Sequence, residues 1–230
     1  MRQINRKKFF DGYRAAWGPL KHGQVAGLEQ ILGMMEKDAD LSDLRHAAYM
    51  LATVKHECAD FWAPIIERGT PAYFDKYEPG TRLGVQLGNK ARGDGARFKG
   101  RGYVQITGLA NYARLGALLG LGDALVTSPE SALDPAVAYR IMSVGMRRGA
   151  FTGRKLAHYF TAEGGDYINA RRIINSLDCA QKIADYAQVF EAVLRESAAA
   201  YLPGAHGEFL PAPQKFPTAR RNPRQSCSWF

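Results

Sequence analysis

The 230-residue sequence predicts a mainly α fold of the α+β kind: a helical domain with a small loop or β lobe forming a substrate cleft. Three observations predict it. Helical periodicity runs through both ends of the chain, it vanishes in a proline- and glycine-broken middle between about residues 60 and 108, and a hydrophobic content of 46% is enough for a real core.

In chain order, Val25, Leu28, Ile31, Leu32 and Met35 recur at three- and four-residue spacing, which makes an amphipathic helix with one face on the core. Ser42 reads as the N-cap of a second, alanine-rich helix in LSDLRHAAYMLATVKHEC. Pro64, Pro71 and Pro79 then break the chain into loops, with a short strand expected from Gly102 to Thr107. Helix returns at Asp134-Pro135, a good N-cap followed by a good first helical residue, with Val137, Ile141 and Val144 on one face. A long final helix has Ala180, Ile183, Ala184, Ala187, Phe190 and Leu194 in step. Five of the 11 prolines fall after residue 202, beside Lys215, Arg220, Arg221 and Arg224, so the reading divides the chain into a domain at 1–202 and a flexible, basic tail at 203–230.

The net charge of +9 favours a polyanionic neighbour: nucleic acid, a membrane surface or an anionic cell-wall polymer. No apolar run is long enough to span a bilayer, and the basic start MRQINRKKFF lacks the apolar segment of a secretory signal, so folding in a cytosol is expected. Cys58, Cys179 and Cys227 are scattered without C-x-x-C spacing and read as free thiols.

Two glutamates lie in VKHECADFWAPIIERG, residues 54 to 69. Glu57 falls near the C-terminal end of the second helix with Met50, Thr53 and Val54 on its face, where apolar surroundings and the negative end of the helix dipole both disfavour the carboxylate. Such a side chain can act as an acid. Glu67 follows a proline-broken turn and can face Glu57 across a groove, with Asp75 and Glu78 as rivals for the second carboxylate. Two carboxylates in unlike environments are what glycosidic hydrolysis requires: one protonates the leaving oxygen and, in the inverting version, the other activates water, about 6.5–9.5 Å away.

The stretch GARFKGRGYVQITGLANY, residues 95 to 112, then reads as an open, shaped wall for a sugar ribbon, its glycines admitting close approach. Strand alternation would turn Tyr103, Gln105 and Thr107 to one side, with Thr107 placed to hold the attacking water. Arg171 and Asn175, four apart before the final helix, share a face that could reach the cleft, whereas Arg172 is expected to pair with a structural carboxylate. Other chemistries fail. Asp60 stands where H-E-x-x-H needs its second histidine, no phosphate loop or G-x-S-x-G elbow is present, and His56, Cys58 and Asp60 alternate along a helix instead of converging on a metal.

Together, the helix ending in HE, the segment FKGRGYVQITGLANY and the later RRIIN resemble glycoside hydrolase family 19, the plant-type chitinases, and in particular their bacteriophage and prophage endolysin relatives. The likeness runs from about residue 4 to 200. It implies a lysozyme-like fold and inverting hydrolysis of β-1,4 bonds between N-acetylated sugars, with no metal or organic cofactor. Glu57 matches the general acid, Glu67 the general base and Thr107 the hydroxyl that positions water; Gln105 and Asn111 match sugar-contacting positions, and Asn175 the asparagine of the I-N-G-G segment. Ser176-Leu177 replaces the two glycines of that segment, the loop between the glutamates is short, and the plant disulfide cysteines are absent, all of which look more like the phage members.

What the resemblance implies is an endolysin-type muramidase or related enzyme acting on peptidoglycan, held in a bacterial host's cytoplasm until release to the periplasm and cell wall. Its basic surface would contact anionic wall polymer or outer-membrane lipid. The same residues would serve a chitinase. A non-catalytic, basic glycan- or nucleic-acid-binding domain is the reading from another class, and a stable nucleic-acid partner is not expected because acids in a groove repel phosphate. A monomer suits diffusion through a mesh.

Overall fold

The computed structural model describes residues 3–199; the expected tail at 203–230 and Cys227 lie outside them. Ten α-helices are described: α1 (Arg6–Trp17), α2 (His22–Lys37), α3 (Leu44–Glu57), α4 (Pro71–Phe74), α5 (Arg82–Gln86), α6 (Asp94–Arg97), α7 (Leu109–Leu118), α8 (Ala124–Thr127), α9 (Pro135–Arg148) and α10 (Ala180–Ala199). Among the described residues, strand is confined to two two-residue antiparallel pairs: β1 (Ile65–Ile66) with β2 (Arg101–Gly102), and β3 (Phe160–Thr161) with β4 (Gly164–Gly165). The fold is therefore mainly α, as the periodicity predicts.

Helix α3 is the axis of the core. Every residue from Ala47 to Lys55 is buried, as befits a helix enclosed on all sides and not an amphipathic one. Helix α10 packs along both α3 and α1. The stripe of α10 is buried as predicted, from Ala180 through Leu194, and α2 buries Leu28, Ile31, Leu32 and Met35, with Val25 only partly covered.

Local chemistry explains where the elements start. Asp134 caps α9, accepting from the backbone N–H groups of Ala136 and Val137 ahead of Pro135. The α3 cap is Asp43, one residue after the expected Ser42, because its carboxylate accepts from the Arg45 N–H and grips the Arg45 guanidinium as well. Helix α1 is not expected from the sequence, in which MRQINRKKFF reads only as a basic terminus. Asn5 caps it by accepting from the Lys8 N–H, and Phe9, Phe10 and Tyr13 are its core face.

Two further expectations are corrected. The strand foreseen from Gly102 to Thr107 is a tight reversal: positive φ at Gly102 (91°) and Gln105 (52°) folds the chain back, so that Arg101 and Ile106 exchange both backbone hydrogen bonds. Alternation cannot survive that turn. The cysteines also differ: Cys58 is a buried free thiol, but Cys179 is disulfide-bonded, a pairing that sequence spacing does not reveal.

Candidate active site

The chain passes from Glu57 through the turn Cys58–Trp62 into β1 and on to Glu67, so the two candidate carboxylates are the ends of one short segment anchored on the core helix. Glu57 is the last residue of α3 and only 7% exposed. Arg171 Nη1 donates to its Oε1 at 2.6 Å. Burial pushes the Glu57 carboxyl above its ordinary range; Arg171 pulls the other way, and Asp178 adds to the rise. Arg171 is itself buried in the 3₁₀ segment Asn169–Ile173, and its Nε donates to the Asp178 carbonyl. The arginine foreseen as a substrate contact is thus committed to the candidate acid.

Glu67 is half-buried and held by three donors. The hydroxyls of Tyr73 and Tyr77 donate to Oε1, each at 3.0 Å, and the Gly100 N–H donates to Oε2 at 2.9 Å. An ionised carboxylate, an acceptor only, satisfies all three. The Tyr77 hydroxyl is kept protonated by burial and by the charge of Glu67. Gly100 is required for this approach: a Cβ there would meet the Gln105 side chain at 2.9 Å and the Glu67 side chain at 3.3 Å. The rivals are placed elsewhere. Glu78 accepts from the Gly93 and Gly95 N–H groups at the start of α6, and Asp75 is exposed.

Glu67 lines an open groove of about 650 Å³ with Phe61, Pro64, Ile65, Ile66, Arg68, Tyr73, Gln105 and Leu133. The glycine-rich stretch is not the expected open surface, since residues 100 to 108 are all buried. Gln105 alone of them borders the groove; its amide donates to the Ile65 and Gly102 carbonyls, both at 2.9 Å, tying β1 to the turn. Tyr103 points into the core with no exposure, because the reversal destroys the alternation that would have turned it outward. The Thr107 hydroxyl is buried and donates to the Gln105 carbonyl at 3.1 Å. Asn111 donates to the Thr107 carbonyl at 2.6 Å, and Asn175 is exposed, its side chain accepting from the Ser176 N–H. Arg172 is exposed and reaches Asn169, not a carboxylate.

Lys55, Phe61, Tyr73 and Tyr77 were not singled out from sequence. The four-residue spacing of the two tyrosines in PAYFDKYE was the visible signal that they share a face. Among the described residues no cluster of His, Cys, Asp and Glu is arranged to hold a metal ion.

The fold is similar to that of a known chitinase. Chitinase C from Streptomyces griseus superimposes with a TM-score of 0.55 at 20% identity, over 84% of this chain and 92% of that one. A mutant form of chitinase C gives a TM-score of 0.48 at 19% identity, too weak to add to the comparison. No protein-family model matches the sequence, and no curated protein matches it. The likeness is one of architecture.

Proposed function

We propose that the chain is a glycoside hydrolase that cleaves β-1,4 bonds of an N-acetylated glycan with inversion, peptidoglycan being the substrate. The observation that carries this is the contrast between the two glutamates: one buried with its carboxyl held above the ordinary range, the other ten residues on and gripped by three donors at an open groove. The chitinase-like fold supports it.

In this mechanism Glu57 gives its proton to the glycosidic oxygen as the bond to the anomeric carbon breaks. Burial keeps that proton in place beforehand, and Arg171 stabilises the carboxylate left afterwards. Glu67 takes a proton from a water that attacks the anomeric carbon from the opposite face. Gln105 and Asn111 are proposed to contact the sugar, as is Asn175; Tyr103 shapes the wall from behind.

The net charge of +9 supports an anionic wall as the target, whereas the chitinase neighbour favours a chitin-like polymer as the second reading. Release from a host cytoplasm would fit the first. Digestion of purified sacculi and of N-acetylglucosamine oligomers, with new reducing ends read by mass spectrometry, tests both. Products from the wild type that vanish in Glu57→Gln are expected; a folded wild type that releases nothing from either substrate would overturn the proposal.

A further inference from the structure

The turn between the two glutamates leaves ordinary backbone conformation at three non-glycine residues: φ is 47° at Ala59, 64° at Asp60 and 59° at Trp62. Each such residue costs about 1–3 kcal/mol and persists only where its surroundings over-determine it, a pattern that clusters at functional sites. Here the surroundings do so. The buried Lys55 ammonium donates to Asp60 Oδ1 at 2.5 Å and to the Tyr13 hydroxyl at 3.1 Å, and it lies over the rings of Trp17, Tyr13 and Tyr186 at 4.6, 5.1 and 5.2 Å. The Gln24 amide donates to the Asp60 carbonyl at 2.9 Å, and Trp62 is wholly buried, edge-on to Tyr13 and Phe190.

Both neighbours of Phe61 are therefore anchored while Phe61 itself is 67% exposed. Among the described residues no other phenylalanine, tyrosine or tryptophan is exposed. Its ring borders the groove that holds Glu67, next to Pro64, Ile65 and Leu133.

We infer that Phe61 is a stacking platform for a pyranose ring of the substrate strand, presented to the groove by the anchored turn. The inference rests on the glycosidase reading above and adds a specificity-determining residue to it. A pyranose carries an apolar face of C–H bonds, each with a slight positive charge, and the negative face of an aromatic ring attracts it. Its hydroxyls and amide stay at the rim, where Glu67, Gln105 and Arg68 offer polar partners. A purely apolar occupant would strip the water from the Glu67 carboxylate and leave its charge with only the three protein donors it already has.

The test compares Phe61→Ala and Phe61→Trp with wild type, using short β-1,4 oligomers of N-acetylglucosamine and purified sacculi. Affinity is also measured by calorimetry in the Glu57→Gln background, where no turnover occurs. Phe61→Ala is expected to raise KM and the dissociation constant about tenfold while kcat changes less, with Phe61→Trp restoring wild-type values. Saturation transfer from sugar protons to the Phe61 ring gives a direct readout. Unchanged KM and affinity in a folded Phe61→Ala, with hydrolysis still abolished by Glu57→Gln, would sink the platform and leave the glycosidase intact. Phe61-dependent binding without cleavage would keep the platform and sink the enzyme. A wild type that is dimeric, and monomeric only in Phe61→Ala with unchanged glycan affinity, would mark the ring as a self-association contact and overturn the inference.

Discussion

At Glu57 two opposed influences meet, and the opposition is testable. Burial raises its pKa while Arg171 favours the ionised form, so Arg171→Ala should let the pKa climb further and carry the alkaline limb of the pH–rate profile to higher pH. The same variant should lose about 10²-fold in kcat, because the carboxylate formed on proton donation has lost its counter-charge. An alkaline limb that stays in place would show that another group sets it. Glu67→Gln should cost roughly 10²–10⁴-fold, whereas Asp75→Asn, a change on an exposed side chain, should remain near wild type. At this scale the burial that raises the Glu57 pKa was legible in sequence, since the apolar neighbours on its helix are local facts. The sequence could not disclose Arg171 as the partner, because that contact joins residues 114 positions apart.

Among the elements, α3 and the turn that follows it decide the site. Lys55→Met keeps the aromatic packing but removes the tether on Asp60; because the Asp60 side chain is 44% exposed and remains hydrated, the expected loss is about 2 kcal/mol, below that for a fully buried pair. Gly27→Ala attacks the same turn from α2: a Cβ would lie 2.1 Å from the Trp62 carbonyl, so a loss of about 1–3 kcal/mol is expected, read as a lower midpoint in urea unfolding. Long helices such as α2 and α10 were legible because many turns repeat one apolar period. The four- and five-residue helices α4, α5, α6 and α8 were not, since one turn carries no period, and the Gly102–Thr107 reversal hid behind residues with good strand propensity.

For the whole molecule, two half-buried histidines contribute to the acid limit. Burial lowers His46 and brings His56 down to about 4, so the unfolded chain binds protons that the folded one refuses; stability is expected to fall as pH drops from the ordinary histidine value of about 6.5 towards 4. Glu36 adds to this lower down: its hydrogen bond to Arg6 depresses its pKa, and that contribution is lost as pH falls below the ordinary glutamate range. Glu57, with its raised pKa, acts in reverse and favours the fold slightly as it takes up its proton. Melting temperatures across this range should show the net fall, and His56→Gln should flatten it; an unaltered slope would assign the effect elsewhere. The mainly α architecture was readable from periodicity, but the enclosure of α3 was not, because alanine-rich helices look alike whether central or peripheral. The long reach from Glu57 to Arg171 also orders events in time. A chain growing from its N-terminus completes α3 well before residue 171 exists, so the carboxyl is present while its counter-charge is still unmade. Under the proposed mechanism the acid and its counter-charge would come together only late in synthesis, as a property of the finished molecule and not of the fragment that carries both glutamates.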